Sequence, residues 1–247
     1  MSSVVLRPLA IPNEHGGWGI LLEPVVLALA VAPSRAGLAL GVALVAAFFL
    51  RHPLRLATRD FLSRKRYPRT IACAYLALAY GSATLILFAM AVAMSSAAIA
   101  IPLLIVSPCL ALQFFHDVRN HGRELAAELC GAIAAAAGGA ACVMAGRGGT
   151  SLALLVAILA ICRSVPSVLY VRSLLRGSGA VPAIAAHALA VGAVALFAPP
   201  IVIAVPLALL ARCVAGHYRS GLTARRVGME EVAWGVAATV ILAMLIR

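Results

Sequence analysis

Basic side chains at helical spacing form the clearest candidate site in this sequence. Arg51, Arg55 and Arg59 follow one another at intervals of four residues, which places them on one face of a helix, with His52 at its edge. Arg51 and Arg55 fall in the last turns of a long apolar block, where a charge is costly unless it faces a cavity or a partner. Two interpretations follow: anchoring in anionic headgroups, and a binding site for a phosphate-bearing anion.

A second basic segment lies later in the chain. Arg163 falls inside an apolar block that Arg172 and Arg176 close, and Tyr170 lies between them. A buried arginine requires a carboxylate, phosphate or carbonyl partner. One hypothesis pairs Arg163 with Glu23, which lies in the middle of another apolar block. The other assigns Arg163, Tyr170, Arg172 and Arg176 to the anion site.

The segment 13–19 opens an apolar block and also has two interpretations. As a helix cap, Asn13 accepts hydrogen bonds from the first turn and Glu14 favours its positive end. As a ligand-facing helix start, its glycines let an anion approach the backbone closely. Three glycines in four positions are costly for a segment that only caps a helix. If the chain is an enzyme, we expect Glu14 and His15 to transfer protons.

Acidic residues lie before and within the start of another apolar block. Asp117, Glu124 and Glu128 either favour a helix amino terminus or pair with the arginines of the 51–59 segment. His116 and His121 are too few and too poorly placed for a metal site. Phosphate-loop, serine-hydrolase and zinc-protease motifs do not occur in the sequence. We therefore expect no metal and no cofactor.

Composition places these residues in a membrane. The chain of 247 residues is 64% hydrophobic and 11% charged, whereas soluble domains carry roughly a quarter charged residues. About 20 apolar residues cross a bilayer, and helices satisfy their own backbone hydrogen bonds there. We predict one all-α, polytopic membrane domain over residues 1–247. Its nine predicted spans are 17–32, 37–57, 70–93, 96–115, 124–145, 151–175, 181–197, 199–218 and 230–246.

The positive charge is strongly one-sided. In the nine-span arrangement, sixteen lysines and arginines lie on the side of the N-terminus and three on the other. This bias predicts a multi-pass protein of the cell membrane with a cytoplasmic N-terminus and an external C-terminus. The net charge of +12 therefore reflects topology. Nucleic acid is not an expected partner, because the basic residues form no stripe with interleaved aromatics.

An internal repeat is a further expectation. Predicted spans two and six both end in arginine-rich segments that contain a proline, Arg51-His52-Pro53 and Arg163-Ser164-Val165-Pro166. A four-plus-four arrangement with one additional helix fits this pattern. Alanine and glycine are abundant, which favours a bundle of closely packed helices.

The opening motif resembles a known family. Pro12-Asn13-Glu14-His15-Gly16-Gly17-Trp18 is similar to the Pro-x-Glu-His-Gly-x-Trp opening of YwiC-like membrane proteins, and the stretch from Arg163 through Pro166 to Arg172 is similar too. The resemblance covers essentially the whole chain. It implies a membrane protein without specifying a biochemical role.

A more distant resemblance is to the UbiA prenyltransferase superfamily. In that superfamily, aspartates after the second and sixth of nine helices hold the Mg²⁺ that holds a prenyl diphosphate. Arg51-His52-x-x-Arg55-x-x-x-Arg59 has the spacing of the first motif, and Arg172-x-x-x-Arg176 stands near the second. Arginine has no lone pair for Mg²⁺ but binds phosphate directly. The resemblance implies a UbiA-like bundle with a lipid cavity, without Mg²⁺-dependent prenyl transfer.

Three functions remain open from the sequence. In the first, the protein binds a phosphate-bearing lipid or isoprenoid at a cytoplasmic mouth and acts, as an enzyme, as a metal-independent prenyl or lipid transferase. The mouth would have Arg51, His52, Arg55 and Arg59 on one wall, Arg163, Arg172 and Arg176 opposite, and Glu14 and His15 closing it. In the second, a transporter or lipid-handling protein of the same shape performs no chemistry. In the third, the chain is an accessory subunit of a membrane complex.

Overall fold

The computed structural model describes residues 7–10, 15–64 and 67–247, and all regular structure in these ranges is helical. One-turn 3₁₀ segments, Ala97–Ile99 and Pro200–Ile203, precede α5 and α10. The helices are α1 (Arg7–Ala10), α2 (His15–Val31), α3 (Arg35–Leu62), α4 (Pro68–Met94), α5 (Ala100–Ile105), α6 (Ser107–Val118), α7 (Leu125–Ala145), α8 (Gly149–Arg176), α9 (Val181–Phe197), α10 (Ala204–His217) and α11 (Ala224–Ile246).

The helices match the predicted spans in position. Six helical segments in the described ranges are long and apolar enough to cross a membrane: α3, α4, α7, α8, α11 and the segment Pro200–His217. The bent pair Ala97–Ile105 and Ser107–Val118 makes a seventh if it forms one span, and two shorter apolar helices are Gly17–Val31 and α9. The predicted all-α, multi-pass membrane architecture is confirmed. The count of nine, the internal repeat and the UbiA-like arrangement stay predictions.

A proline accounts for the break between α5 and α6. The two helices meet at an angle of 54°. Pro108 has no N–H group, so it leaves the carbonyl of Leu104 without its usual donor four residues later. The Ser107 hydroxyl donates to that carbonyl at 2.8 Å instead. A serine beside the proline therefore satisfies the backbone where water is absent.

Helix α7 forms the centre of the bundle. It packs against α2, α3, α5, α6 and α8, and its alanine-rich stretch from 132 to 143 is buried along most of its length. A Cβ atom added to Gly139 would lie 2.8 Å from Cβ of Pro24, and one added to Gly138 would lie 2.9 Å from Cδ1 of Leu44. Close packing through small residues, as predicted, is confirmed.

The outer helices face lipid. Large apolar side chains of α4, including Ile71, Leu78 and Leu85, are about two-thirds exposed, as is Leu189 of α9 at 75%. An exposed apolar surface of this extent is unfavourable in water and expected in hydrocarbon. The membrane-spanning helices thus imply a lipid environment around the bundle.

Candidate functional site

Ion pairs join several helix termini at one end of the bundle. Arg51, eleven residues before the end of α3, binds Asp117 near the end of α6. Arg172 and Arg176 in the last two turns of α8 bind Glu128 in the first turn of α7. We call this the arginine-rich end. Its three arginines, Arg51, Arg172 and Arg176, are among the sixteen basic residues that the sequence assigns to one side of the membrane.

The Arg51–Asp117 pair is two-pronged and half-buried. Nη2 of Arg51 donates to Oδ1 of Asp117 at 2.8 Å, and Nε donates to Oδ2. Asp117 is 1% exposed. A Cβ atom at Gly122 would lie 2.3 Å from Oδ1, so the glycine makes room for the carboxylate. The predicted pairing of Asp117 with an arginine of the 51–59 segment is confirmed, and Asp117 neutralises the charge of Arg51.

Arg55 and Arg59 lie further along the same face of α3. Nη2 of the half-buried Arg55 is 3.2 Å from Nδ1 of His52, and Arg59 is exposed. The neighbouring Asp60 is buried and accepts hydrogen bonds from Arg69 at 3.1 Å and from the Thr70 hydroxyl at 2.8 Å. In the described part of the chain, neither Arg55 nor Arg59 forms an ion pair or a hydrogen bond with a carboxylate.

The first turns of α2 pack beside this basic face. The ring of Trp18 packs edge-on against Phe48 at 5.0 Å and Phe49 at 5.1 Å, and Phe49 stacks on Tyr80 at 5.4 Å, between centroids. Phe48 and Phe49 precede Arg51 and His52 by three residues, about one turn of α3. We call Trp18, Phe48, Phe49 and Tyr80 the aromatic cluster.

The predicted proton-transfer residues are Glu14, just before α2 in the sequence, and His15, at its start. Asn13 and Glu14 lie outside the described residues. His15 is the first residue of α2, and only its backbone is described. Their predicted capping and proton-transfer roles stay predictions.

Arg172 and Arg176, which were predicted to line the opposite wall of the site, bind oxygen atoms of α7 and of the segment before it. Arg172 binds Glu128 at 2.9 Å and Arg176 binds it at 3.3 Å. Both arginines also donate to the carbonyl of Arg123, at 2.9 and 2.7 Å. From the sequence, one hypothesis paired Glu128 with an arginine of the 51–59 segment. In the structure, Glu128 pairs with Arg172 and Arg176 of α8 instead.

Glu124 contacts histidines at this end. One carboxylate oxygen lies 3.0 Å from Nδ1 of His116 and the other 3.0 Å from Nδ1 of His121. The sequence offered an arginine of the 51–59 segment as partner for Glu124 too. Within the described residues no three His, Cys, Asp or Glu side chains are grouped to hold a metal ion.

Arg163 belongs to a separate, buried group of charges. Its guanidinium contacts Glu23 at 3.5 Å, Glu231 at 3.4 Å and the carbonyl of Glu231 at 3.0 Å. Glu231 also accepts hydrogen bonds from Arg212 and the Ser167 hydroxyl. We call Glu23, Arg163, Ser167, Arg212 and Glu231 the core charge cluster. The predicted Glu23–Arg163 pair is confirmed, and the fuller cluster joins α2, α8, α10 and α11.

Tyr170 lies beside this cluster. The guanidinium of Arg212 lies 4.5 Å from the centre of the Tyr170 ring and 5.6 Å from that of Trp234. Tyr170 is 1% exposed, and a Cβ atom at Gly216 would lie 2.0 Å from its hydroxyl oxygen. The tyrosine therefore stabilises a buried cation.

Sequence reasoning missed three members of the core charge cluster, Ser167, Arg212 and Glu231. Arg212 was counted among the residues that orient the chain, although it lies within the predicted span 199–218. Glu231 was placed in the first turn of the predicted span 230–246, whereas α11 begins at Ala224, six residues earlier. A charge inside a predicted span was the available signal.

The sequence matches a known protein family. The YwiC-like protein family model matches residues 11–143, more than half of the chain. The chain belongs to the YwiC-like family. The predicted family resemblance is confirmed over the matched range, which includes Glu23, Arg55, Arg59, Asp117 and Glu128. The predicted resemblance from Arg163 to Arg172 lies outside this range and stays a prediction. The chain matches none of the curated proteins and none of the solved structures.

A third set of charges in this YwiC-like protein is exposed. Arg219, before α11, binds Glu230 through two hydrogen bonds of 2.8 Å, and Arg226 binds the same carboxylate at 3.3 Å. The hydrogen bonds to Glu230 raise the pKa of the Arg219 guanidinium above its ordinary value. This pairing lies at the surface, next to the buried carboxylate of Glu231.

Proposed function

We propose that this multi-pass YwiC-like protein binds a phosphate-bearing lipid or isoprenoid at its arginine-rich end, through Arg55 and Arg59. The observation that supports the proposal is the distribution of carboxylates. Arg51 binds Asp117, and Arg172 and Arg176 bind Glu128. Arg55 and Arg59 are without such a partner in the described residues, so their guanidinium groups are available to an anion.

The spacing of these two arginines suits a lipid headgroup. Residues four apart on a helix are separated by about 6 Å along its axis. Arg55 is half-buried and Arg59 is exposed, so the pair extends from the bundle towards water. Guanidinium groups bind phosphate oxygens through paired, charge-assisted hydrogen bonds. His52 holds one N–H group of Arg55 and fixes its position.

The aromatic cluster supports a lipid rather than a free phosphate. Trp18, Phe48, Phe49 and Tyr80 are half-buried. Phe48 and Phe49 precede Arg55 by about two turns of α3, towards the apolar part of that helix. Partly exposed aromatic rings beside a basic face provide an apolar surface for the chain of a lipid whose phosphate binds the arginines. We therefore assign the headgroup to Arg55 and Arg59 and the first part of the hydrocarbon chain to the aromatic rings.

The remaining predicted site residues take other roles in this proposal. Arg51 and Asp117 hold α3 to α6, and Arg172, Arg176 and Glu128 hold α8 to α7. These pairs fix the frame around the site. Arg163 and Tyr170 act in the core charge cluster. We also propose that the protein lies in the cell membrane with its arginine-rich end facing the cytoplasm. The one-sided positive charge supports this orientation.

Binding of a radiolabelled prenyl diphosphate to the protein in lipid nanodiscs tests the proposal. We expect the double variant Arg55→Gln and Arg59→Gln to bind at least about 10-fold more weakly, because a hydrogen bond to a charged group contributes about 1.5–3 kcal/mol. The control is Arg123→Gln with Arg225→Gln, which removes the same charge from exposed positions. Equal loss in both double variants would refute specific binding.

The same incubation separates the functional alternatives. Label recovered unchanged from the wild-type protein supports binding, transport or lipid handling. Label incorporated into a new lipid in the presence of a chelator supports a metal-independent transferase. In that case Glu14→Gln or His15→Gln should abolish incorporation while binding persists, because these residues are the predicted proton-transfer groups.

A further inference from the structure

The core charge cluster lies too deep to contact a lipid headgroup. Glu23 is eight residues into α2, or about 12 Å along the helix axis. Arg163 is 8% exposed and the side chain of Arg212 is 9% exposed. Ionisable groups inside a membrane are costly, and they commonly mark paths for ions or protons. The lipid-binding proposal leaves this cluster without a role.

The two carboxylates of the cluster are bound very differently. Glu231 accepts hydrogen bonds from Arg212, from the Ser167 hydroxyl and from Arg163 at 3.4 Å. Among the residues that the structure describes, Glu23 has a single long hydrogen bond, from Arg163 at 3.5 Å. A carboxylate that accepts several hydrogen bonds strongly favours its ionised form, whereas a sparsely bonded one in an apolar setting does not. Glu23 is therefore the member that can accept a proton most easily.

A small cavity lies beside Glu23. It measures about 10 Å³ and is lined by Glu23, Arg163, Ser164 and Thr239, together with apolar residues. This volume is near the minimum for one water molecule, and the polar groups on its wall can bind one. Nε of Arg163 is buried and has no hydrogen-bond partner within the described residues. The cavity thus has room for one water molecule beside the carboxyl group.

We propose that Glu23 is a proton-binding site inside the membrane, with the guanidinium of Arg163 stabilising its ionised form. Protonation removes the negative charge of Glu23 and leaves Arg163 with Glu231. The ion pair between α2 and α8 is then lost, so proton binding is coupled to the packing of α2. A metal cation does not suit this site, because Arg163 repels it and one sparsely bonded carboxylate supplies too few oxygen ligands.

The charges that act on Glu23 come from two of its neighbouring helices. Helix α2 packs against α3, α7, α8 and α11. Arg163 of α8 and Glu231 of α11 act on Glu23 electrostatically, and Arg212 of α10 balances Glu231. On α3 and α7, Asp60 pairs with Arg69, Arg51 with Asp117, and Glu128 with Arg172 and Arg176. The other charged residues of α3, Arg35, Arg55 and Arg59, are not among the groups that act on Glu23.

Gly235 of α11 makes space for the Glu23 carboxyl group. A Cβ atom there would lie 1.8 Å from Oε1 of Glu23 and 2.9 Å from Nη2 of Arg163. The change Gly235→Ala must therefore displace the carboxyl group without altering any charge. If Glu23 binds a proton where the structure places it, this substitution should shift the pH at which it titrates.

Infrared difference spectroscopy of the full chain in nanodiscs tests this proposal, because the protein has only eight aspartates and glutamates. Acidification should produce the C=O band of a buried protonated carboxyl group in the wild type. Glu23→Gln should remove that band, and the control Glu128→Gln should retain it. A band that persists unchanged in Glu23→Gln, or a wild type without one, would overturn the proposal. If Glu23→Gln does not fold, Glu23→Asp must shift the band, and an unshifted band would also overturn it.

Discussion

Two adjacent glutamates allow a direct test of how burial sets the energy of an ion pair. Glu230 and Glu231 are consecutive in α11, and each contacts two arginines. The partners of Glu230 are 38% and 64% exposed, whereas those of Glu231 are 8% and 9% exposed. Replacing either residue with glutamine removes one negative charge at almost the same place in the sequence. The two variants differ mainly in the surroundings of the arginines left behind.

The structure gives different magnitudes for the two changes. In Glu231→Gln, Arg163 keeps Glu23, but Arg212 is left as a buried cation without a carboxylate. Breaking a buried pair from one side costs about 3–5 kcal/mol. In Glu230→Gln, Arg219 and Arg226 stay hydrated, and the loss should remain below about 1 kcal/mol. We expect the free energies of unfolding to differ by at least about 2 kcal/mol between the two variants.

Unfolding by sodium dodecyl sulfate in mixed micelles, followed by far-ultraviolet circular dichroism, measures both variants. The double variant Arg212→Met with Glu231→Met serves as a control, since it removes both partners and leaves no uncompensated charge. It should be more stable than Glu231→Gln. If Glu231→Gln and Glu230→Gln unfold within about 1 kcal/mol of each other, the assignment of a buried charge cluster is wrong.

Two further predictions concern packing and pairing elsewhere in the bundle. Asp117→Asn removes the negative charge that accepts two hydrogen bonds from the half-buried Arg51 and should destabilise the protein by about 2–4 kcal/mol; a detergent unfolding curve that matches the wild type would contradict this pairing. Gly216→Ala places a methyl group against the hydroxyl of Tyr170 and should cost about 1–3 kcal/mol. In the control Gly192→Ala, the added Cβ has no neighbour within 4 Å, so this change should stabilise its helix by up to about 1 kcal/mol. Equal effects of the two substitutions on the melting temperature would refute the close packing of Gly216 against Tyr170.

Most of the fold could be predicted from the sequence, because a chain that crosses a lipid bilayer can adopt few kinds of structure. Each long apolar block had to be helical, since hydrocarbon offers no other partner for its backbone groups. The predicted span 181–197 coincides with α9. The bend between α5 and α6 was not predicted. Apolar residues lie on both sides of the bend, and the span contains two prolines, of which Pro102 lies within α5 and Pro108 follows the break.

The candidate site could be predicted only in part from the sequence. Which charged residues pair depends on distances in the folded chain, and the sequence does not give these distances. Asp117 and Arg51 are 66 residues apart, and the sequence could offer their contact only as one alternative. The same reasoning offered Glu128 to the 51–59 segment, whereas α7 presents it to Arg172 and Arg176 of α8. Arg212 and Glu231 were missed because each was assigned to a helix end on the basis of an estimated boundary.

Mass spectrometry of the lipids that co-purify with the protein tests the central claim most directly. The wild type and the control double variant Arg123→Gln with Arg225→Gln should retain the same phosphate-bearing lipid. The double variant Arg55→Gln with Arg59→Gln should lose it while remaining folded. Retention of the same lipid by all three proteins, or of neutral lipids alone by the wild type, would contradict a phosphate-binding role for Arg55 and Arg59.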